Sequence, residues 1–242
     1  MHMKTARYLT LFILIIATQA CRKPTPAVVT DIDGNTYPVI KIGNQYWMAQ
    51  NLRVTRYRNG DSIPYITDTP AWSNTRTGAR CNYNNDTSLL WHPTSTIAGN
   101  GSIIADSTPV KQFYGCLYNW YAISDPRQLA PTGWHIPTAA ELGTLVKNLR
   151  GDTVAGAYLK ATSWNTARLH MPTADGFNAL PGGYRMGNDG SFHTLGSNGY
   201  WWHTHGSYEL FAWSPRFYST FADVKRDPQY YTYGLSVRCI KD

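Results

Sequence analysis

The chain is poor in charge and almost empty of glutamate. Charged residues make up 15% of its 242 positions, and Glu141 and Glu209 are the only glutamates. That excludes coiled coils and long helical bundles, which need Glu, Lys and Leu at helical spacing. It also excludes a disordered chain, which needs high charge and few aromatics. Glycosidic cleavage by paired carboxylates would have to draw on Asp residues or Glu209, and nothing in the sequence picks a pair. No apolar run reaches the roughly 20 residues that span a bilayer. Gly-x-Ser-x-Gly, phosphate-loop, His-Glu-x-x-His and dinucleotide fingerprints are all missing. The Lys and Arg residues, including Arg53, Arg56, Arg58, Lys225 and Arg226, are scattered rather than striped, so a nucleic-acid partner is not expected.

Aromatic residues are plentiful instead: nine Trp, seventeen Tyr and seven Phe, beside 20 Gly and 14 Pro. This mixture predicts short strands and long, ordered loops. At the N-terminus Lys4 and Arg7 precede the apolar run from Leu9 to Ala17, and Thr18-Gln19-Ala20-Cys21 follows. A charged segment, a short apolar segment and a small residue at the cut form a secretory signal. The Cys directly after Ala20 makes the signal resemble that of bacterial lipoproteins, in which this Cys becomes the acylated N-terminus. The expected organisation is a leader over 1–20, a lipidated tether over 21–30 and one domain over 31–242. Removing Lys4 and Arg7 with the leader lowers the formal charge of +7 by two. The membrane partner is then the lipid anchor, and the expected location is the outer membrane, on its periplasmic or outer face.

Hydrophobic patterning places the elements. Asp31-Ile32-Asp33-Gly34-Asn35 resembles the start of a calcium loop but lacks the later ligands, so a tight turn is expected. Tyr37 to Ile42 and Gln45 to Ala49 flank Gly43-Asn44 as a hairpin. Residues 59–110 carry little periodicity. A helix is predicted over Phe113 to Ile123, with Leu117, Trp120 and Tyr121 on one face. A second starts at Thr138, where Glu141 completes a capping box, and ends at Gly151 after Leu142, Leu145, Val146 and Leu149. A short helix fits Val154 to Ala161. Strands are predicted at Phe177–Leu180, Gly183–Met186, Ser191–Leu195, Tyr200–His205, Leu210–Arg216 and Tyr233–Ile240. Strands at both ends with helices between them give an α+β class.

Six strings occur in order: DIDGNTYPVIKIGNQYWMAQNLRV (31–54), YGCLYNWYAI (114–123), PTGWHIPTAAEL (131–142), GFNALPGGYR (176–185), NGYWWHTHG (198–206) and YGLSVRCIKD (233–242). Together they resemble the Fibrobacter succinogenes major paralogous domain of bacterial lipoproteins and surface proteins. The resemblance implies a C-type-lectin-like fold, related to that of formylglycine-generating enzymes. In that fold a mixed, mostly antiparallel sheet carries two main helices and long loops, and the N- and C-terminal strands pair. The resemblance implies no activity, since one fold hosts many functions. This chain departs from the family in an insertion at about 88–110, in Ala130 where relatives often carry Cys, and in His203 and His205.

With Cys21 acylated, Cys81, Cys116 and Cys239 remain, so at most one internal disulfide can form. Cys81 with Cys239 is the expected pair, preferred to Cys81 with Cys116, and Cys116 reads as a buried thiol. On a strand His203 and His205 would share a face, and a third ligand from His193, Asp189 or Glu209 would complete a zinc site. The plainer reading makes them substitutes for small polar residues, and no cofactor is expected. Gly60-Asp61-Ser62-Ile63 resembles an esterase nucleophile block but has no matching Asp-x-x-His, so a turn is expected. Arg150-Gly151-Asp152 is an integrin-type tripeptide whose Gly151 is already needed at the helix end. Trp47, Trp120, Trp134, Trp201 and Trp202 are expected mostly in the core. Trp91, His92, His203, His205 and Tyr208 are the candidate ligand contacts. The expected function is non-catalytic binding of glycan or envelope protein through the loop face. A metal-assisted hydrolase, a formylglycine-generating-type enzyme and a structural subunit of an envelope complex are the alternatives.

Overall fold

The computed structural model describes residues 28–85, 114–161, 176–204 and 210–242. Two five-stranded sheets and a two-stranded ribbon carry the architecture. The first sheet has the order β1–β2–β3–β12–β6, built from Val28–Thr30, Thr36–Ile42, Gln45–Met48, Ile240–Lys241 and Trp134–His135. The C-terminal strand β12 lies between β3 and β6, with Ile240 opposite both Trp47 and His135. The N- and C-terminal strands therefore share one sheet. Strand β1 begins at Val28, the first described residue.

The second sheet has the order β11–β10–β9–β7–β8, from Lys225–Tyr230, Phe211–Tyr218, Asn198–Tyr200, Gly182–Arg185 and Phe192–Leu195. All its pairings are antiparallel except β7 with β9. The ribbon joins β4 (Arg80–Cys81) to β5 (Leu117–Tyr118). An α+β class with mostly antiparallel sheets is what the chain adopts.

Alternation along the strands feeds two cores at once. In the first sheet Ile42, Trp47 and Ile240 face one cluster, which includes Leu145, Val146 and Leu149 of the main helix. Tyr37, Met48 and Cys239 face the other, with Tyr118, Trp202, Leu235 and Val237. The second sheet does the same, sending Trp201 and Phe217 to the former and Tyr200 and Ala212 to the latter. Trp47 and Trp202 are fully buried, and large aromatic side chains remove roughly 150–250 Å² each from water. Trp120 is half-buried, stacked on Tyr231 at 4.8 Å.

Four α-helices are described: α1 (Thr69–Asn74), α2 (Trp120–Ile123), α3 (Ala139–Asn148) and α4 (Ala155–Leu159). Helix α3 is the expected one. Its Thr138 side chain and Glu141 form the reciprocal capping box. At its other end Arg150 takes the left-handed position (φ 71°), and the amides of Arg150 and Gly151 return to Lys147 and Val146. This is a Schellman ending with arginine where glycine is usual.

The helix expected over Phe113 to Ile123 is corrected to one turn. Gly115 has φ 82°, and a β-carbon there would lie 2.6 Å from the Leu52 carbonyl oxygen, so the backbone cannot coil through it. Leu117 and Tyr118 pair with β4 instead, and Asn119 caps α2 by accepting from the Ala122 amide. Three strands are also corrected. Tyr233–Ile240 reaches strand pairing only at Ile240, with isolated bridges at Gly234, Leu235 and Ser236 before it. Phe177–Leu180 makes only a single bridge, Ala179 with Lys160, and Tyr200–His205 ends as β9 at Tyr200.

The scattered arginines hold the irregular segments. Arg58 donates to the carbonyls of Ala130, Pro131 and Trp134 at 2.9 Å each. Arg185, fully buried between the Trp72 and Phe192 rings, donates to the carbonyls of Gly190, Ile66 and Thr67. One planar guanidinium thus ties residues 66–67 to the second sheet.

Candidate functional site

Cys21, Trp91, His92, His205 and Tyr208 lie outside the described residues, as does the insertion at about 88–110. His203 is 5% exposed, sits beyond the end of β9 and lines a cavity against α3. His193 lies on the opposite face of the second sheet, stacked on Tyr184 at 5.2 Å. His203 and His193 are therefore not brought together, while His205 and Glu209 lie outside the described residues. Among the described residues no three His, Cys, Asp or Glu side chains converge as a metal-ligand set.

The expected disulfide is corrected as well. Cys81 and Cys239 are buried free thiols in different clusters, Cys81 with Trp72 and Leu117, Cys239 with Met48 and Val237. Burial pushes the Cys81 thiol up to about 12 and the Cys239 thiol higher still. Cys116 follows the Cys81 strand partner Leu117 back by one residue, which turns it to the opposite face of the ribbon. There it approaches Asn82 Oδ1 at 3.6 Å.

Other motifs resolve as structure. Asp31 accepts from the amides of Asp33 and Asn35 and from the Tyr37 hydroxyl at 2.6 Å. Asp33 accepts from Thr55 and pairs with Arg56 at 2.6 Å. Asp31 is thus spent within the turn and on Tyr37, and Asp33 ties the turn to Thr55 and Arg56. Residues 57–61 close a turn through Gly60 N to Tyr57 O and Tyr57 N to Asp61 O. Asp152 of the integrin-type tripeptide pairs with Arg226 at 3.0 Å.

A group of rings that the sequence did not single out forms a ledge at the margin of the second sheet. Strand register sets Tyr184 opposite His193 and Tyr200 opposite Arg216, all on one face. Tyr184 stacks on Tyr233 at 5.7 Å with 12° between planes, and Tyr200 meets Tyr184 edge-on at 4.9 Å. Tyr230 extends the row beside Tyr233 at 5.8 Å and is 55% exposed. Tyr184, His193 and Tyr233 are half-buried, so their rings lie flush with the surface.

Polar groups frame these rings. Arg216 covers Tyr218 at 4.0 Å and pairs with Asp227 at 2.5 Å. The Ser191 hydroxyl donates to Asp189 Oδ1 at 2.6 Å, so the His193 Nε2 lying 2.6 Å from Ser191 Oγ acts as an N–H donor to it. A nucleophilic serine needs the reverse arrangement, with the imidazole accepting its proton and the carboxylate on the imidazole. These three residues are therefore a fixed polar patch rather than a hydrolytic triad. Hydrogen bonds from the Ser191 hydroxyl and amide hold the Asp189 carboxyl below the usual carboxylate range. Burial, with Tyr200 and Tyr233 nearby, raises the Tyr184 phenol, so it stays a neutral hydroxyl at physiological pH. The ledge offers flat rings, neutral hydroxyls, one cation and two carboxylates. Its signal in sequence was a Tyr in each of three separated strings, at 184, 200 and 233, which only the strand pairing unites.

No curated protein and no solved structure matches the chain. The sequence model of the Fibrobacter succinogenes major domain matches residues 40–241, running from the second strand of the first sheet to its last and taking in the whole ledge, and the chain belongs to that family.

Proposed function

We propose that the protein is a non-catalytic binding module of the bacterial envelope, with a C-type-lectin-like domain anchored to the outer membrane through acylated Cys21. The ligand is glycan, and the Tyr184 ledge receives it. The observation that carries this reading is the row of rings in which Tyr184 stacks in parallel on Tyr233 and Tyr230, beside Tyr233, is 55% exposed, bordered by Arg216, Asp227 and Asp189. Sugar rings present apolar C–H faces and a rim of hydroxyls. Aromatic faces suit the former, and alternating donors and acceptors suit the latter. The lipoprotein-like leader supports the anchored location.

The test is retention of the purified full chain on a panel of immobilised polysaccharides and a glycan array. A Tyr184→Ala, Tyr230→Ala double variant should lose retention at least tenfold while still unfolding in one cooperative transition. Binding to no glycan at all, or undiminished binding by the double variant, would overturn the reading.

A further inference from the structure

The face of the second sheet opposite the ledge covers a cavity of about 360 Å³, closed on its other side by α3 and by Trp47 of β3. The size falls within the range that takes small-molecule ligands, roughly 300–1,000 Å³. Trp47, Leu145, Trp201 and Phe217 make its walls apolar. Among the described residues, the ionisable groups along it are Arg238, Arg226 and His203, and no carboxylate lines it.

Arg238 is the unusual member. It is 2% exposed, and it spends its donors on neutral acceptors: Nε and Nη2 on Asn51 Oδ1 at 3.2 and 2.8 Å, and Nη1 on the Phe177 carbonyl. No carboxylate forms an ion pair with it among the described residues, whereas Arg226 at the same cavity pairs with Asp152. A guanidinium cannot shed its charge as a buried lysine can. Buried charges are ordinarily paired. Here a permanent cation borders an apolar, aromatic-walled space to which the described residues bring no anion.

We infer that this cavity is a binding site for a small apolar anion, an aryl or acyl carboxylate, with Arg238 supplying the counter-charge. The apolar body of the ligand packs against the indoles of Trp47 and Trp201, and its charged group lies toward the guanidinium. The site is separate from the ledge, so it stands or falls independently of glycan binding.

The test uses the full chain and the fluorescent aryl anion 1-anilinonaphthalene-8-sulfonate, which should bind saturably at one site per chain. Decanoate should displace it at least tenfold more effectively than decanol or decyltrimethylammonium. Benzoate as a parallel competitor tells an aryl preference from an acyl one. Leu142→Trp, at the half-buried rim of the cavity, should reduce binding at least tenfold with the fold intact. Arg238→Met should erase the preference for decanoate over decanol if it folds, and the Leu142 variant decides the matter if it does not. Absence of saturable binding, equal displacement by decanoate and decanol, or unchanged binding in Leu142→Trp would each overturn the assignment.

Discussion

His135 bridges Glu141 and Asp242: its Nε2 lies 2.9 Å from Glu141 Oε1 and its Nδ1 lies 2.6 Å from Asp242 Oδ1. One imidazole therefore joins the capping box of α3 to the last residue of the chain. Partial burial works against its charge, but hydrogen bonds and charge from Asp242 and Glu141 outweigh this and leave its pKa raised. For Glu141, burial is likewise outweighed by Thr138 and His135, and its pKa is lowered. The His135 contribution is complete below the unfolded imidazole value of about 6.5 and is lost as pH rises through the raised folded value. The Glu141 contribution is complete above the unfolded carboxyl value of about 4.3 and is lost as pH falls through the lowered one. The stability difference between wild type and His135→Gln should therefore be largest between about pH 4.3 and 6.5 and shrink on either side. Urea unfolding across pH 3 to 9 checks this, and a difference independent of pH would refute the clamp.

Asn51 is the acceptor shared by two buried donors. Its Oδ1 receives Trp201 Nε1 at 2.9 Å as well as Arg238, and its Nδ2 donates to the Tyr114 carbonyl at 2.8 Å. Asn51→Ala leaves an indole N–H and a buried guanidinium short of an acceptor, a loss of about 3–5 kcal/mol in urea unfolding. Asn51→Asp keeps the acceptor and adds a counter-charge, losing only the bond to Tyr114, so its loss should be smaller.

Gly156 sets two effects against each other. Alanine is favoured over glycine inside a helix by about 1 kcal/mol. A β-carbon at 156 would lie 2.4 Å from the Asp223 carbonyl oxygen and 2.8 Å from that of Ala222, both backbone atoms. The Ala222 carbonyl also holds the Ala157 amide at 2.9 Å, so the loop cannot simply retreat. Overpacking of this kind costs about 1–3 kcal/mol. Gly156→Ala should destabilise the fold, and an increase in its unfolding midpoint would contradict this packing.

Free, deeply buried thiols at Cys81 and Cys239 predict a redox-insensitive protein. The native chain should resist labelling of both positions by an aromatic disulfide reagent and take up label on unfolding. Its unfolding midpoint should be unchanged by a reducing agent. A linkage between the two cysteines on peptide mapping would contradict the structure.

Local signals carried much of the architecture. The capping box at Thr138 and Glu141, the hairpin around Gly43-Asn44 and the strands ending at Arg185 and Leu195 were all legible from short-range chemistry. Strand β11 was not, because Lys225-Arg226-Asp227-Pro228 has the charge and proline of an edge strand, with neither the alternation nor the branched residues of a central one. The apparent helix at Leu117, Trp120 and Tyr121 failed because long-range pairing with β4 overrode the local spacing. The ledge was invisible for a related reason. Its rings come from four strands and a turn spread over residues 184–233, and only strand pairing brings them together.

The position of β12 has a consequence for how the molecule is made. Until Ile240 and Lys241 have been synthesised, β3 and β6 have no partner between them, and the first sheet is two unconnected pieces with open edges. Open edges invite pairing with other chains. Completion of this sheet must therefore wait for β12, and a chain cut before Ile240 would be a product prone to aggregate rather than a slightly shorter domain.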